Sequence, residues 1–190
     1  MRRNNYIIRF AIIALFISLY FVLSRFLSID INNLFKISFT SVVIIYVAAF
    51  FNFYDTFIIV LLGELLSQAF SQYGLTITTP LWLIPPLLRI IPIGVTRLIY
   101  KKKGTLLLSE KTFINFLIFY LASLIGALLT TGGNTLVIYL DAKIFNYPDN
   151  LTLAIVGMRF LTSILNWAIC TSLVIPLFFA TKKLIQQIYN

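Results

Sequence analysis

Six apolar runs, each bounded by a few polar residues, fill almost all of this 190-residue chain. They cover roughly residues 6–24, 37–53, 55–70, 81–100, 112–140 and 151–181. Crossing the hydrocarbon core as a helix takes about 20 apolar residues. The pattern therefore predicts an all-α integral membrane bundle of six transmembrane helices. The second and third runs are short and nearly continuous through FNFYD, and the last two are long enough to tilt. Charged residues make up 11% of the chain and mean hydropathy is +0.96. A soluble domain carries about 25% charged residues, so a membrane is the expected environment. The sequence between the runs is too short for a soluble unit, which leaves residues 1–190 as a single membrane domain. The first run has no small-residue cleavage site after it and is read as a retained helix.

The basic residues are unevenly placed. Arg2, Arg3 and Arg9 open the chain, Arg97, Lys101, Lys102, Lys103 and Lys111 surround the fourth-to-fifth connection, and Lys182 and Lys183 end the sixth run. With six spans these clusters share one side, against Arg25, Lys36 and Lys143 on the other. The positive-inside rule makes the richer side cytoplasmic, with both termini on it, in a multi-pass protein of the cell membrane. Membrane topology thus accounts for the net charge of +9, and no nucleic-acid partner is expected. Cys170 is the only cysteine and there is no histidine, so an intramolecular disulfide is excluded and no metal site is expected. No glycine-rich phosphate loop with a lysine appears, and no nucleophile–base pair or carboxylate pair stands at catalytic spacing. We expect no enzymatic activity, no catalytic residue and no cofactor.

The polar residues inside the apolar runs carry the functional expectation. Residues 63–94 read GELLSQAFSQYGLTITTPLWLIPPLLRIIPIG. Glu64 and Gln68 share a helix face. A hydroxyl-rich loop with Tyr73 and Gly74 follows, then Trp82, a break or kink at Pro85-Pro86, and Arg89. The fifth run carries TTGGNT, in which two glycines precede Asn134, and the sixth carries Arg159, Thr162, Ser163, Asn166 and Trp167. Counted from the outer end of each helix, at about 1.5 Å per residue, Glu64, Arg89, Asn134 and Arg159 lie at similar depth in the outer half. Such residues in lipid mark a polar site. The candidate substrate-binding residues are Arg25, Glu64, Gln68, Trp82, Arg89, Asn134, Arg159, Asn166 and Trp167. Glu64 with Arg89 or Arg159 is either a structural ion pair or part of a ligand site. Two arginines against one acid leave a positive surplus that favours an anionic ligand. Asn166 is deeper and is expected to bridge helices, and either tryptophan is a pocket wall or a packing aromatic. The connection at 25–36 is long, mixed in polarity and expected to act as a lid. Ala11, Ala14 and Ser18 form a small-residue face on the first helix, suited to close helix approach within the bundle or against a partner.

These motifs resemble a known family. SRFLSI followed by KISF, then LLGELLSQ with YGLTITTPLW, are similar to the substrate-binding S components of energy-coupling factor (ECF) transporters, a class of ABC transporter. The resemblance covers most of the chain and is strongest over residues 24–94. The first third is similar to the folate-binding branch, but FNFYD stands where that branch has a Gly-Pro-rich turn. The third-to-fourth helix stretch resembles the pantothenate-type members. The resemblance implies vitamin uptake: capture from outside under the first outer loop, docking on a transmembrane coupling subunit that sits on two cytoplasmic ATPases, and release inside. ATP is then used by the partner subunits alone. It also implies docking through Ala11, Ala14 and Ser18, where serine replaces the family's second alanine. Folate and pyridoxine are alternative ligands. A stand-alone channel or ion-coupled carrier, and a ligand-free structural subunit, are the other function classes.

Overall fold

The computed structural model describes residues 2–32, 35–72, 74–102, 108, 113–146 and 152–189. Among them run six helices: α1 (Arg2–Phe26), α2 (Thr40–Phe50), α3 (Phe53–Ala69), α4 (Thr79–Lys102), α5 (Phe113–Phe145) and α6 (Leu153–Tyr189). Between α1 and α2 lies an antiparallel hairpin, β1 (Ser28–Asn32) with β2 (Phe35–Ser38). Asn33, Leu34, Tyr73, Lys103, Lys111, Thr112 and Leu151 fall outside the described residues, as do the side chains of Arg2, Arg3, Lys36, Lys182 and Lys183.

Apart from the hairpin the fold is all-α, and α1, α4, α5 and α6 are long and apolar enough to cross a membrane. Of the other two, α2, with 11 residues, is shorter than its apolar run predicts, whereas α3, with 17, matches its run. The second run loses its first residues to β2 and its last to the turn at Phe51 and Asn52. Of the break or kink expected at Pro85-Pro86, the break does not occur, since α4 runs through Pro85, Pro86 and Pro92. Lacking N–H groups, the first two prolines leave the carbonyls of Leu81 and Trp82 without their helical donors.

Helix α2 is apolar nearly all round, and such a helix belongs inside a protein. Ten of its eleven residues are buried. Ile45, Val47 and Phe50 pack in one core with Ile59 of α3, Ile90 and Ile93 of α4, Phe119 of α5 and Phe178 of α6. Phe50 stacks on Phe178 at 4.3 Å between ring centroids, and Phe16 meets Phe51 edge-on at 4.9 Å.

Side-chain pairs fix the helix directions. Arg9–Asp55, Tyr20–Glu64 and Ser24–Ser67 make α1 and α3 parallel. Ser41–Asn166 and Tyr46–Thr181 make α2 and α6 parallel. Ser123–Thr171 and Thr131–Ser163 make α5 antiparallel to α6. Arg89–Ser41 and Arg97–Asn52 make α4 parallel to α2, and α1 runs toward the hairpin from which α2 leaves, so successive helices alternate in direction. At one end, Asp55 is 2% exposed and receives two bonds from Arg9, 2.6 Å to Oδ1 and 2.9 Å to Oδ2. There too, Arg97 donates to Asn52 at 3.1 Å. The hairpin lies at the opposite end, where α1 ends and α2 begins.

Two glycines let helices meet closely. A β-carbon at Gly63 would lie 2.6 Å from Cγ of Tyr20, and one at Gly126 would lie 2.7 Å from the Arg89 carbonyl oxygen. Real β-carbons do not approach that far, so α1 seats on α3, and α4 on α5, only because these side chains are absent.

Candidate functional site: a polar cavity at the hairpin end

A cavity of about 910 Å³ opens among the helices at the hairpin end. All six helices line it: α1 with Tyr20, Ser24 and Arg25, α2 with Thr40, Ser41 and Ile44, and α3 with Glu64, Ser67 and Gln68. Trp82, Pro86 and Arg89 come from α4, Thr130, Thr131 and Asn134 from α5, and Arg159, Thr162, Ser163 and Asn166 from α6. The alternation of direction explains why. Residues late in α1, α3 and α5 stand level with residues early in α2, α4 and α6. The depth count made from sequence gathers Glu64, Arg89, Asn134 and Arg159 for the same reason.

Arg89 is the best-buried charge of the site, 5% exposed. Its Nη1 donates to Ser41 Oγ at 2.6 Å, while Nε and Nη2 are buried without a hydrogen-bond partner. Asn166 also donates to Ser41 Oγ, at 3.3 Å, and its own carbonyl oxygen accepts the Cys170 thiol at 3.2 Å. Asn166 thus bridges α6 to α2 as expected, and it lines the cavity as well. Arg159, half-buried, has its Nε enclosed without a partner.

Glu64 does not form the ion pair that the sequence left open. Its Oε2 accepts Tyr20 Oη at 2.7 Å and its Oε1 accepts Gln68 Nε2 at 2.8 Å. The ion pair of Arg9 with Asp55 lies far along α1 and α3 from the cavity. Burying an arginine without an acid is costly, so the two unmatched guanidinium groups are the site's main chemical feature. Hydroxyls are its second. The Thr131 hydroxyl shares its one proton between Ser163 Oγ at 2.6 Å and the Ala127 carbonyl at 3.0 Å, and Thr130 donates back to Gly126 at 2.8 Å. The wall of α5 and α6 is thereby fixed in place with its polar atoms near the cavity.

Eight of the nine substrate-binding candidates read from sequence line this one cavity. The exception is Trp167, which donates to the Tyr120 carbonyl at 3.2 Å and meets the Tyr120 ring edge-on at 5.9 Å. It is a packing aromatic between α5 and α6. Of the two glycines before Asn134, Gly133 sits against Leu88 and Pro85, whereas Gly132 faces open space. Sequence reasoning missed Tyr20, Ser24, Ser41 and Ser67. A tyrosine in an apolar helix carries no mark of its own, but Tyr20 lies four residues before Ser24, and a shared helix face was a usable signal.

Ala11, Ala14 and Ser18 are exposed, not packed inside the bundle. The Ser18 hydroxyl donates to the Ala14 carbonyl at 2.9 Å, which leaves a low, self-satisfied surface on α1. The connection at 25–36 forms most of the β-hairpin, with Asp30 opposite Lys36 in the register, directly before the cavity residues Ser38 and Thr40. A second cavity of about 630 Å³, between α1, α2 and α6, is lined by apolar side chains such as Leu23, Val42 and Leu173. It offers no polar group to orient a ligand. Among the described residues no three metal-ligating side chains come together.

Comparison with protein-family models, curated proteins and solved structures returns no match to this chain.

Proposed function

We propose that this chain crosses the cell membrane six times with both termini in the cytoplasm and serves as the substrate-binding S component of an ECF transporter. In this reading it holds a small anionic vitamin in the polar cavity, and pantothenate is the best fit. The observation that carries the reading is Arg89: a residue 5% exposed, with two guanidinium nitrogens that lack partners, in one cavity with the half-buried Arg159, whose Nε also lacks one. A ligand carboxylate supplies charge and acceptors that the protein itself withholds. Pantothenate brings a carboxylate, an amide and two hydroxyls, and the amide is within the repertoire of Asn134 and its hydroxyl neighbours. Pyridoxine lacks the carboxylate, and folate is larger and needs more aromatic wall than Trp82 and Tyr20 provide. The cavity, about 910 Å³, falls within the usual range for small-molecule sites.

The alternating helix directions and the distribution of charge support this topology. Arg97, Lys101 and Lys102 end α4 away from the cavity, which turns the cavity outward under the positive-inside rule. The 11 residues of α2 are too few to cross lipid alone, but α2 is enclosed by protein, where short helices and extended segments are tolerated at membrane depth. The exposed small residues of α1 suit a coupling subunit, and the two ATPases below it consume the ATP. The purified protein titrated with pantothenate tests the ligand. Affinity capture of this chain with the membrane fraction of its own cells tests the partners: a coupling subunit and two ATPases are expected, and capture of the chain alone removes the transporter role.

A further inference from the structure

The cavity holds one acid and three arginines, and they do not meet. No nitrogen of Arg25, Arg89 or Arg159 comes within 4.0 Å of a Glu64 oxygen. Glu64 is positioned by two neutral donors, Tyr20 Oη and Gln68 Nε2, one on each oxygen. A carboxylate offers about four acceptor sites, so each oxygen keeps one unused, and neither donor cancels the charge. Ser24 and Ser67, bonded to one another at 2.8 Å, stand on the same wall of α1 and α3. Arg25 stands exposed at the end of α1, on the Glu64 side, whereas the two arginines with buried unpartnered nitrogens belong to other walls: Arg89 of α4 is tied to α2 through Ser41, and Arg159 rises from α6. Glu64 is thus held by α1 and α3, Arg89 and Arg159 by α4 and α6, and the charges do not pair.

We infer that the ligand is dipolar, with an anionic group at Arg89 and Arg159 and hydroxyl or ammonium donors at the other end, on Glu64. The inference rests on the anion-receptor reading above and adds the second anchor and the ligand's orientation. A simple anion matches the arginines but shares the cavity with an unneutralised carboxylate, and like charges at close quarters are unfavourable. A neutral polyol matches Glu64 and leaves Arg89 buried and unpaired. A hydroxy acid or amino acid whose two ends are separated by a linker satisfies both walls at once. Pantothenate then lies with its carboxylate toward α4 and α6 and its hydroxyls toward α3.

Three probes separate the ends: pantothenate, panthenol (the carboxylate replaced by an alcohol) and N-(3,3-dimethylbutanoyl)-β-alanine, which keeps the carboxylate and lacks both hydroxyls. Affinities are measured by calorimetry on the purified full chain as wild type, Glu64→Ala, Glu64→Gln and Arg89→Ala. Wild type is expected to prefer pantothenate over each analogue by about tenfold or more. Either Glu64 variant should erase the preference over the hydroxyl-free acid and keep the preference over panthenol, and Arg89→Ala should do the reverse. The glutamine, close in shape, covers the case in which alanine fails to fold. If wild type binds the two acids equally and rejects panthenol, the anion reading stands and the dipolar ligand is overturned. A hydroxyl preference that survives both Glu64 variants overturns it too. If neither acid binds, both readings fall.

Discussion

The backbone of Arg89 rests directly on Gly126: a β-carbon there would sit 2.7 Å from the Arg89 carbonyl oxygen and 3.3 Å from its Cγ. The position of the site's central cation is thus set by a missing methyl group on the neighbouring helix. Gly126→Ala must push α4 away from α5, and overpacking of this kind costs about 1–3 kcal/mol. Gly132 is the internal control, since nothing lies within 4 Å of a β-carbon there. In a helix interior alanine is favoured over glycine by up to about 1 kcal/mol. We expect Gly126→Ala to lower the thermal unfolding midpoint and weaken pantothenate binding, and Gly132→Ala to hold or raise the midpoint. Equal midpoints for the two variants would show that the contact with Arg89 has no consequence.

Replacing Arg89 itself should separate binding from stability. Its guanidinium makes one hydrogen bond in the ligand-free protein, to Ser41, and leaves two nitrogens buried without partners. Its removal relieves a desolvated charge as well as losing a bond, so the ligand-free protein should keep its unfolding midpoint. Pantothenate binding should fall by at least about 2 kcal/mol, roughly thirtyfold. Arg159→Ala, which removes the half-buried second guanidinium, is expected to weaken binding in the same direction. If both variants bind pantothenate as wild type does, the arginines serve the fold alone and the anionic-ligand reading fails.

Much of this was legible in the chain. Apolar runs gave the number and order of the helices. Arg89, Arg159, Glu64 and Asn134 stood out because polar groups are rare in such runs, and counting depth along alternating helices brought them together. What stayed hidden depends on contacts between helices. The arginines were the only protein partners weighed for Glu64, beside a ligand, because charge is visible in a sequence, whereas the Tyr20 hydroxyl that reaches it is set by the Gly63 contact between α1 and α3. The short α2 and the hairpin were missed because ISF reads equally as strand or as helix start. Trp167 illustrates the opposite error: an indole next to polar residues was grouped with the site, though the helix turns it toward Tyr120.

At the far end of the bundle, Asp55 is buried and takes two bonds from Arg9. Removing one partner of a buried pair costs about 3–5 kcal/mol, because the other charge is left uncompensated. Arg9 is partly exposed and can reach water, whereas Asp55 cannot. Arg9→Ala should therefore destabilise more than Asp55→Ala, and both should leave pantothenate affinity unchanged because the pair lies away from the cavity. Chemical unfolding of the two variants and calorimetry on each check both halves, and a binding loss in either would mean that the pair acts on the site.

The last expectation concerns α1. Ala11, Ala14 and Ser18 are exposed, and Ser18 turns its hydroxyl back onto the Ala14 carbonyl, so the stripe presents neither bulk nor an unsatisfied donor. Under the proposed docking, a helix of the coupling subunit would pack closely on this stripe, since packing rather than hydrophobicity drives helix association in lipid. A large side chain at Ala14 would hold that helix off without touching the interior of this chain. Ala14→Arg and Ala14→Leu should both bind pantothenate with wild-type affinity and unfold at the wild-type temperature. Reconstituted with the coupling subunit and ATPases, both should fail to take pantothenate into vesicles. The leucine variant matters because it removes the objection that a charge simply disturbs insertion. Uptake by Ala14→Leu at the wild-type rate would place the docking surface elsewhere on the chain.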